Sequence, residues 1–234
     1  MPPAEGDTPV ARVAIVIDDL GRDLQQVDRL LAYGVPFSYA VLPFEKRSRE
    51  VAARLVEHDA ELLLHLPMAP TGHEDPGPGA LTADMSEREI ERATRAAVAA
   101  VPGAVGVNNH MGSAMTPETG AMRAMLSVLR ESGLFFLDSR TSAGSVGYDL
   151  ARAEGIATAR RDLFLDETDE RGAIVAELES LLEIARARGA AIGIAHPRPE
   201  TFAAFDEMMP RLRLEGVEVV PVSFLLERTE TLPE

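Results

Sequence analysis

The chain contains no cysteine. Disulfides, thiolate metal sites and cysteine nucleophiles are therefore excluded. The compartment stays open, because disulfide-free proteins fold on either side of a membrane. No apolar run approaches the ~18–20 residues that cross a bilayer, so no membrane span is expected. Positive charge is scarce: 23 Lys and Arg stand against 38 Asp and Glu, a net of −15. That balance argues against non-specific binding to nucleic acid or to an anionic membrane, and favours a small or neutral substrate. The chain has no Gly-x-Ser-x-Gly elbow, no P-loop and no Gly-x-Gly-x-x-Gly after a strand. It also has no internal repeat and no dividing linker, so residues 11–228 are expected to form one domain. The opening Met1 to Pro9 is neither basic nor apolar, unlike a signal peptide. Residues 1–10 read as a flexible linker, or equally as the boundary where an anchor ended. Residues 229–234 read as a frayed polar tail.

What is present is enough apolar material for a full core, 46% of 234 residues. Short apolar runs alternate with amphipathic segments. The pattern predicts strands near 12–17, 36–42, 61–66, 104–108, 134–138, 156–165, 190–195 and 217–222. Helices are expected near 23–33, 46–58, 86–101, 117–132, 145–154, 169–188 and 199–215. Punctuation agrees with this. Gly133 and Gly189 follow helical patterns, as left-handed C-caps do. Ser86 and Glu89 form a capping box, and Thr116-Pro117 reads as an N-cap with Pro at N1. Strict βα alternation implies a parallel sheet with right-handed crossovers. Seven or eight units in this length predict an α/β fold, a distorted (β/α)7-8 barrel, with an open doubly wound sheet as the alternative. The Pro- and Gly-rich stretch 69–85 reads as a surface loop long enough to form a lid or rim.

The apolar run Arg12 to Ile17 drives into Asp18-Asp19-Leu20-Gly21. Two adjacent carboxylates repel unless a cation or a shared proton offsets the cost. The plain alternative is an Asp pair that caps the next helix. Of five histidines, His58 and His73 fall in a helix end and a loop. His65, His110 and His196 each directly follow an apolar run that reads as a strand. A parallel sheet brings all three to the same face as Asp18 and Asp19, the face where ligands bind in such folds. Imidazoles and a carboxylate suit zinc, cobalt, nickel, iron or manganese. Asn108, Asn109, Ser113, Asp138, Ser139, Arg140 and Asp166 fall on the same rim. Each has a structural reading too, in capping or turn satisfaction. Ser139 beside Asp138 would admit a serine hydrolase, but that leaves the Asp pair and two histidines without a purpose.

The strings Ile17-Asp18-Asp19-Leu20-Gly21, His65-Leu66-Pro67-Met68, Asn108-Asn109-His110-Met111-Gly112-Ser113, Leu137-Asp138-Ser139, Phe164-Leu165-Asp166 and Gly193-Ile194-Ala195-His196 occur in that order. Together they resemble the divergent polysaccharide deacetylase family over residues 11–226. The resemblance implies a distorted barrel related to carbohydrate esterases, which use a divalent metal, usually zinc, held by one Asp and two His. It implies Asp18 as general base, Asp19 and His65 as metal ligands and His196 as general acid. The usual second His of a His-x-x-x-His motif is Ala69 here, and His110 is the replacement ligand. The implied substrate is an acetylated glycan and the implied setting is the periplasm or cell envelope. A member that binds envelope glycan or a protein partner without turnover is the alternative. A hydrolase of other amides or phosphoesters is a third.

Overall fold

The computed structural model describes residues 11–227; the expected linker 1–10 and tail 229–234 lie outside the described residues. Strands and helices alternate as β1 (Arg12–Leu20), α1 (Leu24–Ala32), β2 (Ser38–Val41), α2 (Ser48–Glu57), β3 (Glu61–Met68), α3 (Glu87–Ala100), β4 (Gly106–Met111), α4 (Thr119–Ser132), β5 (Phe135–Asp138), α5 (Gly147–Ala153), β6 (Thr158–Arg160), β7 (Leu163–Phe164), α6 (Arg171–Arg188), β8 (Ala190–Ala195), α7 (Pro199–Leu214) and β9 (Glu218–Val219). A 3-10 turn follows at Val222–Leu225. The strands form one parallel sheet in the order β6-β5-β4-β3-β2-β1-β8-β7, with β9 beside the start of β1. The sheet curls into a distorted barrel wrapped by helices, as the alternation predicts.

Side chains alternate between the two faces of each strand. Val13, Ile15 and Ile17 of β1, with Leu62, Leu64 and Leu66 of β3, join the large core beneath the helices. Their neighbours Ala14, Val16, Ala40, Leu63, Phe135, Leu137, Ile192 and Ile194 fill the barrel interior. Val222 joins that inner core, and its N–H donates to Ser38 Oγ at 3.0 Å. Small and large residues interleave inside: a Cβ on Gly106 would lie 2.4 Å from the Phe135 ring.

Four expectations need correction. The segment 156–165 is two strands on opposite edges of the sheet, not one. Arg161 and Asp162 carry the chain across the gap; their N–H groups donate to Asp138 O on one side (3.0 Å) and to Ile192 O on the other (2.9 Å). Strands β1, β3 and β4 run further than predicted, because the ladder continues through the polar residues, as Pro67↔His110 and Met68↔Met111 show. The three histidines therefore do not all follow strands; His65 and His110 lie within them. The run 217–222 gives only two paired residues before the 3-10 turn. Helix α4 begins at Thr119, not at Pro117. The carbonyl of Thr116 accepts from Val146 N–H (3.0 Å), which holds it in the preceding turn, and its buried hydroxyl has no hydrogen-bond partner. The capping box at Ser86 and Glu89 is present. Gly133 and Gly189 end their helices with φ of +69° and +89°.

Candidate active site

The interior positions that follow the apolar layers, one step toward the C-terminal ends of the strands, are polar. Asp18 follows Ala14 and Val16, His65 follows Leu63, and Asn108 follows Gly106. His196 follows Ile192 and Ile194. Register aligns them: Ile17 pairs with Ala195, so Asp18 and His196 are level, and His65 pairs directly with Asn108. His110, two residues beyond Asn108, sits one layer higher on the same face.

Asp19 should point outward by alternation. A bulge prevents this. Ile17 pairs with Tyr39 but Leu20 pairs with Val41, so β1 takes three steps where β2 takes two. Asp19 absorbs the extra residue in the left-handed region, with φ +61°. Such backbone is costly for a residue with a Cβ and clusters at functional sites. Here it turns two consecutive carboxylates to one cleft.

Three atoms converge there. Asp19 Oδ1 lies 3.0 Å from His110 Nδ1 and 3.3 Å from His65 Nε2, and the two nitrogens are 3.1 Å apart. Asp19 Oδ1 is shut from solvent and has no aligned hydrogen-bond donor. Ligands ~2.0–2.2 Å from one ion stand about 3–3.5 Å from each other, so these residues fit a divalent metal. They are the one Asp/His group of this kind found among the described residues. Asn108 fixes the ring of His65: its Oδ1 faces His65 Nδ1 at 2.9 Å while its amide donates to Asp18 Oδ1 at 2.8 Å. The amide therefore makes Nδ1 the protonated nitrogen and leaves Nε2 as the ligand atom.

Charge is tuned by burial and neighbours. Burial raises the Asp18 carboxyl above its ordinary value, partly offset by His65 and His196. Burial pushes Asp19 the same way, but His110 and His65 outweigh it and hold the carboxyl far below the usual range. His196 donates from Nδ1 to Asp166 Oδ1 at 2.9 Å, and Asp166 also accepts from His196 N–H (2.7 Å) and the Thr201 hydroxyl (2.9 Å). Burial would lower His196, yet Asp166 and Asp18 raise it. Its Nε2 faces the cleft, 3.9 Å from Asp19 Oδ2.

The other rim residues divide. Asn109 lines the cleft and braces it, accepting from Ser139 N–H (2.9 Å) and donating to Met111 O (2.8 Å). Ser139 is buried, with its hydroxyl 3.3 Å from the Asn108 amide. Asp138 is spent on the next turn, accepting from Arg140 N–H, the Ser145 hydroxyl and Tyr148 N–H. Ser113 lies outside the cleft and holds Thr71 of the 69–85 loop. Arg140 is exposed. Sequence reasoning missed Met111, Thr141, Phe164 and Arg198, which complete a cleft of about 260 Å³. Arg198 carried a signal, two residues after His196.

Residues 15–226 match the family model described as divergent polysaccharide deacetylase. The chain is 36% identical over 219 residues to the uncharacterized protein YibQ of Escherichia coli (strain K12), covering 94% of this chain and 68% of that one. Its fold is similar to the crystal structure of the uncharacterized protein ATU2773 from Agrobacterium tumefaciens C58, with a TM-score of 0.87 and 26% identity over 94% of this chain and 91% of that one. At the level of fold alone it is similar to a mutant of BA3943, a CE4 family pseudoenzyme of Bacillus anthracis with restored enzymatic activity (TM-score 0.58, 15% identity, 95% and 70% coverage). With the motif-bearing strands, the match along nearly the whole barrel and a relative above 30% identity, the chain belongs to the divergent polysaccharide deacetylase family.

Proposed function

We propose that the chain is a metal-dependent hydrolase that removes acetyl groups from a carbohydrate. One observation carries the reading: Asp19 Oδ1, His65 Nε2 and His110 Nδ1 form a triangle of 3.0–3.3 Å, flanked by an unligated carboxylate and an unligated imidazole. In this reading Asp19, His65 and His110 hold a divalent metal, and zinc suits two imidazoles and one carboxylate. When bound, the ion supplies Lewis acidity to water and to the acyl oxygen.

The remaining chemistry belongs to the chain. Asp18 takes a proton from the attacking water; its raised affinity for protons suits a base. The water oxygen bonds to the acyl carbon as the C–N or C–O bond breaks. His196, protonated and oriented by Asp166, gives its Nε2 proton to the leaving amine or alkoxide. Acetate and a free amino or hydroxyl sugar result. Asn108 keeps Asp18 and the His65 ring in register. An envelope setting is part of the proposal and rests on the polysaccharide class of the family.

Metal content by mass spectrometry and acetate release from acetylated glycans test this. Near one equivalent of metal is expected in the wild type, lost in Asp19→Ala, His65→Ala and His110→Ala. Asp18→Asn is expected to keep the metal and to lose ~10²–10⁴-fold in turnover. Wild-type protein that takes up no zinc would overturn the hydrolase. A second reading is binding without turnover. Ala69 in place of the usual second His and the fold shared with a CE4 pseudoenzyme favour it. It survives if glycan binds but metal-loaded protein releases no acetate.

A further inference from the structure

Most arginines of this acidic protein reach a carboxylate, from Arg12 with Glu218 to Arg211 with Glu179. Several described arginines do not, Arg49, Arg88, Arg92 and Arg160 among them, and three more of these lie in or beside the cleft. Arg198 lines the cleft and donates to the backbone carbonyl of Asp166 at 2.8 Å. Arg161 donates to the carbonyls of Ser139 (2.6 Å) and Arg140 (3.0 Å), with its guanidinium 3.7 Å from the centre of the Phe164 ring. Phe164 lines the cleft and stacks toward His196. Arg140 is exposed on the adjoining turn, held there by a left-handed backbone of φ +48°. Among the described residues none of the three has a carboxylate oxygen within 4.0 Å. Asp138, the nearest sequence neighbour, is committed to Arg140 N–H, Ser145 and Tyr148. Beyond contact distance three acids face Arg161: exposed Glu167, Asp138 and buried Asp18.

The bonds to carbonyls and the ring fix where these guanidiniums sit, and they cancel no charge. Half-buried Arg161 is also destabilised as a cation by burial and by Arg140 beside it. A fold with 38 acidic residues had counter-ions to spare. Oriented forks next to a cleft, with no carboxylate in contact, are suited to receive a carboxylate or a phosphate. The overall charge of −15 predicted a small or neutral substrate; the cleft is itself lined by Asp18 and Asp19, and Arg198 brings positive charge to one side of it.

We propose that the cleft selects acetylated sugars that carry an oxyanion substituent, bound by Arg198 and Arg161 with Arg140 adding charge. The proposal rests on the deacetylase reading for the acetyl group but not for the anion.

The test is calorimetric binding to the whole chain of N-acetylglucosamine, N-acetylmuramic acid and N-acetylglucosamine 6-phosphate. At least one acidic sugar is expected to bind ~10-fold or more tightly than the neutral one, since one charge-assisted pair is worth about that factor. Preference between the two acidic sugars names the source of the anion. The advantage is expected to vanish in Arg198→Gln and Arg161→Gln and to persist in Arg88→Gln, a change on the exposed surface of α3. Arg140→Gln removes no side-chain hydrogen bond, so it tests the charge without risk to the fold; a few-fold loss for the acidic sugar alone is expected. Equal affinity for all three sugars, or an advantage that survives these variants, overturns the proposal. Acidic preference without acetate release would sink the deacetylase and leave this inference standing. Turnover of neutral and acidic sugars alike would do the reverse.

Discussion

Asn108→Ala removes no proposed metal ligand and no proposed proton-transfer group, yet it should damage the site. Asn108 is fully buried and joins two buried partners, His65 Nδ1 at 2.9 Å and Asp18 Oδ1 at 2.8 Å. The first bond contributes about 1 kcal/mol and the second, to a carboxylate, about 1.5–3. Both partners are left buried without a replacement, so a net loss of about 3 kcal/mol is expected. For a chain of this length that lowers Tm by roughly 6–12 °C. The more diagnostic effect is on metal. With Nδ1 unbound, the His65 ring loses its orientation and its tautomer preference. Loss of such an outer partner typically weakens metal binding 10–100-fold. Competition with a chromophoric chelator, beside thermal melts, measures both. Asn109→Ala is the control: its amide serves Met111, Ser139 and Thr141 in the rim turns, so stability falls but metal affinity holds. Zinc bound as tightly by Asn108→Ala as by wild type would refute the reasoning.

The interior of the barrel has no spare room at Gly106, so Gly106→Ala drives a methyl toward the Phe135 ring and should cost about 1–3 kcal/mol in urea unfolding; a neutral result would mean the ring moves freely. Burial, reinforced at Tyr33 by Asp206, pushes that phenol up to about 12, and burial raises Tyr39 and Tyr148 as well. A phenol raised in the folded state contributes stability that is whole below its unfolded value of about 10 and lost as pH rises through the folded one. Absorbance at 295 nm should therefore show less than half ionisation at pH 10, and Tyr33→Phe should remove the step near 12; half-ionisation at pH 10 would contradict the packing.

The barrel was legible because βα alternation, helix caps and apolar runs all agree on it. The convergence of Asp18, His65, His110 and His196 was legible for the same reason, since parallel strands deliver their ends to one face. Alternation alone, however, sends Asp19 away from the cleft. The bulge that turns it inward exists only in the ladder with β2, which one strand's residues cannot reveal. The split of 156–165 was hidden similarly: Ile156 to Ala159 and Leu163 to Leu165 are both short apolar-rich runs, and only partners on opposite edges separate them. Arg161 and Arg198 were missed because a rim arginine announces itself by lacking a carboxylate, a property of the folded neighbourhood.

The crossing at Arg161 and Asp162 bears on how the protein behaves in a crowd. An incompletely closed barrel exposes two raw strand edges, each a template for another chain to add to. Here both are blunted. Strand β6 has three residues and β7 two, and the peptide between them spends its N–H groups on both sides. The outer side of β6 is further taken by Glu227, which exchanges two backbone bonds with Thr158 at 2.8 and 3.1 Å. The fold therefore leaves its wall unclosed beside the cleft without offering a ledge for edge-to-edge aggregation.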